Sequence, residues 1–164
     1  MNIKIRKAEV ADIPKLSQQS NKLCDFALKH TQKGKLKELY RLDKKAAPKA
    51  WETYFSEHIK SKDSLFLVAE DESKIVGHLL ANIEAWPPVL KIKKIGQLRE
   101  LYLDDAYREK GVGSKLLKKA ITFFRKKKVK FAKIEVDTSN LRAEHVYRKH
   151  GFKDFRHQLI KEIK

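Results

Sequence analysis

Residues 96–128 constrain the fold more than any other stretch. Gly96 to Asp104 reads as a strand. Gly111 to Lys128 places Val112, Leu116, Leu117, Ala120, Ile121 and Phe124 on one face of an amphipathic helix. A short loop with two glycines separates them, and Phe131 to Thr138, rich in Ile and Val, reads as the next strand. A strand, a helix and a strand in close succession form a right-handed parallel crossover. The chain must therefore build a sheet with this helix packed on one face.

The remaining elements follow from periodicity. Asn2 to Arg6 alternates Ile with Lys and Arg and reads as a short strand. Asp12 can cap a helix that tolerates Pro14 in its first turn and carries Ile13, Leu16, Ser20, Leu23, Cys24, Ala27 and Leu28 at helical spacing to near His30. Thr31 to Ala47 is Lys-rich and reads as loop or a short helix around Leu36 to Tyr40. Pro48 opens a second helix with Trp51, Tyr54, Phe55, His58 and Ile59 on one face, an aromatic stripe expected in the core. Ser64 to Ala69 and Lys74 to Ala85 are strands joined by the acidic turn Glu70 to Ser73, and Trp86-Pro87-Pro88 breaks the second. Leu141 to His150 is a helix closed by Gly151, and Phe152 to Ile163 is expected as a final strand.

The order is β-α-α-β-β-β-α-β-α-β. The expected class is α/β (α+β): a central mixed, mostly antiparallel, twisted sheet flanked by about four helices. No repeat or linker divides the chain, so residues 1–164 are expected to form a single domain.

Composition narrows the function classes. Lys and Arg number 38 against 21 Asp and Glu, a net charge of +17. That sign bias implies an anionic partner: nucleic acid, a membrane surface or a phosphate-bearing cofactor. Cys24 is the only cysteine, so an intrachain disulfide is excluded and a reducing compartment is expected. The longest apolar run, Leu65 to Ala69, is far short of the roughly 18 residues that span a membrane. Met1 to Glu9 lacks the apolar core of a signal peptide. The expectation is a soluble, cytoplasmic, very basic protein.

The loop before the long helix carries the chemistry. A helix N-terminus presents unpaired N–H groups and a positive dipole end, and Gly111 and Gly113 let backbone approach an anion closely. Arg108 and Lys110 add charge beside it, so the expected ligand is a phosphate or pyrophosphate. A bare pair of glycines more often marks only a tight turn. Arg108-x-x-Gly111-x-Gly113 between a strand and a long helix says more. The dinucleotide pattern fails because Leu116 stands where its third glycine belongs, and no Walker motif occurs.

Leu101 to Ser114 resembles the acyl-CoA-binding motif of the GNAT superfamily of N-acetyltransferases, whose pattern is Arg/Gln-x-x-Gly-x-Gly/Ala. Glu135 to Asn140, followed by Ala143, Tyr147 and His150-Gly151-Phe152, resembles the second half of that family's pattern. The order of elements agrees along the chain, with the specific motifs within about residues 97–152.

The resemblance implies acetyl-CoA as co-substrate, no metal, and transfer of acetyl to a primary amine of a protein, peptide or small molecule by direct attack in a ternary complex. Backbone groups of Leu101, Tyr102 and Leu103 would pair with the pantetheine arm, and one N–H would polarise the thioester carbonyl. Amides of Glu109, Lys110, Gly111, Val112, Gly113 and Ser114 would hold the pyrophosphate, with the Arg108 and Lys110 side chains near. Asn140 would contact the pantetheine or adjacent backbone, and Tyr147 would protonate the departing thiolate. Judged alone, Tyr147 would be a core tyrosine.

Glu100 and Glu135 are both candidates for the base that takes the amine proton, and each is also explained by pairing with Lys or Arg. Strand alternation puts Glu100 on the face of Leu98 and Tyr102. Zinc-hydrolase, redox and serine-hydrolase motifs are absent, and the six histidines do not cluster. Lys126 to Lys128 fits a helix C-terminus better than a nucleic-acid patch.

Only 13 residues follow Gly151, where the family commonly has two strands. The acceptor site is then either more open or completed by a second subunit of a homodimer. The rival reading is a non-catalytic CoA-binding module or a basic nucleic-acid-associated protein. Residues 31–47 and 86–94 would shape the acceptor side. The basic surface favours a protein, an acidic peptide or an amine carrying negative charge over a polyamine.

Overall fold

The computed structural model describes residues 2–30 and 35–163. Nine elements run in the order β1 Lys4–Lys7, α1 Ile13–His30, α2 Ala47–Lys60, β2 Ser64–Asp71, β3 Lys74–Ala85, β4 Lys94–Leu103, α3 Val112–Lys126, β5 Ala132–Ile134 and α4 Leu141–Lys149. Short 3-10 segments occupy Val10–Asp12, Lys35–Tyr40 and Asp105–Tyr107. Residues 31–34 of the expected Lys-rich loop lie outside the described residues. The chain packs as two compact units. One holds all five strands, the start of α1, and the whole of α2 and α3. The other holds the rest of α1, the Lys35–Tyr40 segment, α4 and the residues after it.

In the first unit, one sheet runs β1-β2-β3-β4-β5. The first three pairings are antiparallel and β4 pairs with β5 in parallel, as the crossover through α3 requires. The middle strands are apolar on both faces because both are covered. Phe66, Val68 and Leu80 pack with Ala8, Ile13, Leu16 and Phe55 on the side of α1 and α2. The Phe55 ring stacks on Trp51 at 5.2 Å and meets Phe66 at 5.2 Å, so the aromatic stripe is core. On the opposite face α3 packs against β2, β3 and β4 and buries Val112, Leu116, Leu117, Ala120 and Phe124. Gly96 makes that packing possible, since a Cβ there would come within 2.7 Å of the Phe124 ring.

β4 carries an irregularity that its sequence does not announce. Leu80 opposes Glu100 and Ala81 opposes Leu98, so Arg99 is an extra, unopposed residue, a β-bulge. Cross-strand partners share a face. Glu100 therefore lies with Leu80 on the α1/α2 side, and Leu98 with Ala81 on the α3 side. The expectation that Leu98 and Glu100 share a face is corrected: uninterrupted alternation fails across the bulge. The parallel pairing to β5 covers Gly96 to Leu98 and stops there. Beyond the bulge, the β5-side edge of β4 is unpaired in the ladder. β5 is also shorter than the expected Phe131 to Thr138.

The first helix begins differently from expectation. Asp12 lies in the 3-10 turn that precedes α1, and its Oδ2 accepts the Glu9 N–H at 2.8 Å. Its carboxylate also takes two hydrogen bonds from the Arg6 guanidinium, at 2.7 and 2.9 Å, which hold its pKa below the usual range.

In the second unit, Asn140 caps α4, accepting the Ala143 N–H on Oδ1 at 3.1 Å. At the other end the Gly151 N–H returns to Arg148 O at 2.9 Å and the Phe152 N–H to Tyr147 O at 3.1 Å. Gly151 has φ 88°. These are the two bonds of a Schellman motif, and its usual apolar contact is present as the Tyr147–Phe152 ring pair, centroids 5.9 Å apart. Tyr40 Oη donates to Asp137 Oδ2 at 2.8 Å.

Phe152 to Ile163 is not a strand, which corrects the expected final element. Its apolar residues Phe152, Phe155, Leu159, Ile160 and Ile163 do not alternate. An extended chain would scatter them over both faces, so no strand face could bury them together.

Candidate active site

The open edge of β4 and the start of α3 adjoin in sequence and in space. The Asp104 N–H donates to Val76 O of β3 at 2.9 Å. Backbone groups alternate sides along a strand. Tyr102 therefore points its N–H and C=O toward β3, and Leu101 and Leu103 point theirs to the open edge. The expectation that all three backbones serve one ligand narrows to Leu101 and Leu103. Tyr102 is held by ladder pairing opposite His78, and its hydroxyl donates to Asp104 Oδ1 at 2.9 Å.

The loop beyond is braced. Arg108 Nε donates to Leu103 O at 2.9 Å, and Arg108 Nη1 pairs with Asp105 at 2.5 Å. Tyr107 Oη donates to Asp71 Oδ2 at 3.0 Å, which raises the phenol's pKa. Glu109 holds φ 62° and Gly111 φ 78°, both left-handed. At Glu109 this is a strained position for a residue with a Cβ. Gly111 is required by its φ, because a Cβ there would meet nothing within 4 Å.

The first helical bond of α3 is Lys115 N–H to Gly111 O, 3.1 Å. The N–H groups of Val112, Gly113 and Ser114 precede it and have no partner within the helix. A Cβ at Gly113 would make only ordinary contact, 3.5 Å from Leu103. The protein's own packing does not demand this glycine. Bare amides, a helix N-terminus, two left-handed residues and an exposed Lys110 fit a pyrophosphate.

On the α1/α2 side of the bulge sits Glu100. Its Oε2 receives Ser20 Oγ at 2.5 Å and lies 3.0 Å from His78 Nε2. His78 is fully buried, its ring stacked 5.9 Å from Tyr102. His78 Nδ1 lies 2.9 Å from Gln19 Oε1, and Gln19 Nε2 donates to Ile75 O at 3.3 Å. Around this cluster stand Tyr54, whose pKa burial and Glu100 push up, and His58, whose pKa burial and Arg99 push down. Arg99 Nε binds Asn82 Oδ1 at 2.9 Å and its guanidinium pairs with Glu84.

Glu135 differs from Glu100. It lies just past β5, its side chain is 78% exposed, and its nearest cation is Lys133 at 3.9 Å. In the second unit, burial raises the Tyr147 phenol to about 12, and Asn140 spends its oxygen on the helix cap. Reading motifs alone missed Gln19, Ser20 and His78. The signal available was a single His inside the apolar run of β3, Ile75 to Ala81.

Comparison with known proteins identifies the class to which this fold belongs. The Acetyltransferase (GNAT) family model matches residues 36–152. The chain belongs to that family, the acetyl-CoA-dependent N-acetyltransferases. It is 28% identical over 138 residues to an N-alpha-acetyltransferase of Sulfurisphaera tokodaii, covering 79% of this chain and 81% of that one. It is 31% identical over 88 residues to an uncharacterized N-acetyltransferase of Archaeoglobus fulgidus, covering 54% of this chain and 58% of that protein's length.

Among solved structures, a mutant of the BH1408 protein of Bacillus halodurans superposes with TM-score 0.84 at 20% identity, over 98% of this chain and 99% of that one. A Clostridium acetobutylicum protein described as a predicted acetyltransferase with acetyl-CoA gives TM-score 0.77 at 20% identity, over 98% and 96%. Among the described residues, no helix is long and apolar enough to cross a membrane.

Proposed function

We propose that this protein transfers acetyl from acetyl-CoA to a primary amine by direct attack, with Glu100 as the base and Tyr147 as the acid. The observation that carries the reading is the Glu100 carboxylate. Oε2 is anchored by Ser20 and His78, and Oε1 accepts no hydrogen bond among the described residues. Glu100 also immediately precedes Leu101 and the open edge of β4. An amine reaching the thioester beside that edge is within reach of Oε1, directly or through one water.

In this reading the chain's residues divide the work. The backbones of Leu101 and Leu103 align the pantetheine arm, and an outward N–H stabilises charge developing on the thioester oxygen. The amides of Glu109 to Ser114 and the side chain of Lys110 hold the pyrophosphate. Burial keeps the Tyr147 hydroxyl protonated, ready to donate to the leaving thiolate. Asn140 fixes the start of α4, so it acts on Tyr147 through the helix. Glu135 is an exposed strand-end residue paired with Lys133.

The acceptor is a primary amine. The α-amino group of a protein is the first class to test, because a relative similar over most of this chain is called an N-alpha-acetyltransferase. The assay is CoA release from acetyl-CoA against peptides with free N-termini, ribosomal proteins, amino sugars and polyamines. Saturable release with one amine class supports the reading. Binding of acetyl-CoA without release to any amine would overturn it in favour of a binding module.

A further inference from the structure

We propose that His78 is a positioning residue that shares a proton with Glu100, making the two side chains one proton-accepting unit. This deepens the reading of Glu100 as the base and rests on it.

The hydrogen-bond inventory carries the argument. Gln19 Nε2 donates to the Ile75 carbonyl, which fixes the amide's orientation and turns Oε1 toward His78. An amide oxygen only accepts, so His78 Nδ1 bears a hydrogen. A carboxylate oxygen also only accepts, yet Glu100 Oε2 lies 3.0 Å from Nε2. Without a hydrogen between them, two lone pairs would face each other beside a fully buried ring. The heavy atoms are therefore placed for the loaded form of the pair, with one proton on Nδ1 and one between Nε2 and Oε2.

Among the described residues, the surroundings supply no rival source for that proton. α1 presents Gln19 and Ser20, both uncharged, and β2 presents Phe66. β4 presents Tyr102, whose hydroxyl is engaged with Asp104. Farther out, α2 contributes Tyr54 and His58, and the Arg99 guanidinium is paired with Glu84 of β3.

The step balances simply. The unloaded pair is a Glu100 carboxylate and a neutral imidazole with its hydrogen on Nδ1. An acceptor ammonium loses one proton to this pair, directly or through water, and the proton completes the Oε2–Nε2 hydrogen bond. The freed amine lone pair forms the new bond to the acetyl carbon. The pair later returns the proton to solvent.

Two measurements on the full-length chain test this. Long-range 1H–15N spectra of His78 should show Nδ1 protonated throughout and, when the pair is loaded, a proton shared at Nε2. In Glu100→Gln, Nδ1 should keep its hydrogen and Nε2 should become a plain acceptor. A His78 ring with bare Nδ1 would overturn the proposal, and this readout needs no turnover. In kinetics, His78→Gln keeps a donor near Nε2 but cannot share a proton. Its kcat should fall by about 10²-fold. The KM for acetyl-CoA should hold. An unchanged kcat in His78→Gln, with Glu100→Gln inactive, overturns the sharing and leaves Glu100 as base. Full activity in Glu100→Gln removes the base reading itself, and His78's role with it.

Discussion

Arg108 and Leu103 are joined by a hydrogen bond from Nε to the main-chain carbonyl, 2.9 Å long. The cation expected to attract phosphate also ties the loop before α3 to the open edge of β4. Its removal therefore acts through geometry as well as charge. Arg108→Ala should raise the KM for acetyl-CoA about tenfold, the scale of one charge-assisted hydrogen bond, with kcat little changed. Arg108→Lys should recover the salt-dependent part only, because an ammonium cannot span Leu103 and Asp105 as the guanidinium fork does. Steady-state kinetics at two ionic strengths separate the two contributions.

Glu100→Gln should lower kcat by about 10²–10⁴-fold while acetyl-CoA binds as tightly as before by calorimetry. Glu135→Gln should remain close to wild type, since its carboxylate is exposed beside Lys133. A reversed ranking of the two variants would transfer the base role to Glu135.

Tyr147→Phe should lower kcat with the acetyl-CoA KM unchanged, and an unchanged kcat removes the acid role. Burial raises the folded-state phenol to about 12, against about 10 in an unfolded chain. The neutral form is the one the fold favours. Its contribution to stability is complete below about pH 10 and is lost as pH rises toward about 12. Tyr147→Phe should flatten that alkaline loss in a denaturant series from about pH 9 to about 12.

The sheet was readable because its strands alternate or run apolar between clear turn signals, and α3 because its stripe is uninterrupted. The glycine loop was readable because few residue types permit bare backbone at a helix start. Two things were hidden. The bulge at Arg99 involves no glycine or proline, so nothing local marks it, and Glu100's neighbours could not be assigned. His78, Gln19 and Ser20 are far apart in sequence and meet only through the β2–β3–β4 register and the start of α1. The tail's apolar residues, spaced mostly three and four apart, do not alternate as a buried strand face requires.

Gly151→Ala should destabilise the end of α4 by about 1–2 kcal/mol, because φ 88° places a Cβ against the preceding carbonyl. Phe152→Ala should remove the ring that packs on Tyr147 and lower kcat without weakening acetyl-CoA binding. Thermal melts and kinetics together check both. A loss of stability with kcat preserved in Phe152→Ala would mean the Schellman contact serves folding alone.

The unopposed residue in β4 imposes a parity rule on this enzyme. With Arg99 left out of the ladder, Glu100 opposes Leu80 on the α1/α2 side. Paired regularly, with Arg99 taken into the ladder, the same sequence would carry Glu100 to the side of α3, away from Ser20 and His78. Deleting Arg99 would leave Glu100 directly after Leu98, the two on opposite faces as before. That deletion should therefore preserve the facing pattern and remove only the Arg99 contacts to Asn82 and Glu84. The placement of Glu100 is encoded partly by one residue in excess of the ladder, a property of spacing that no single side chain carries.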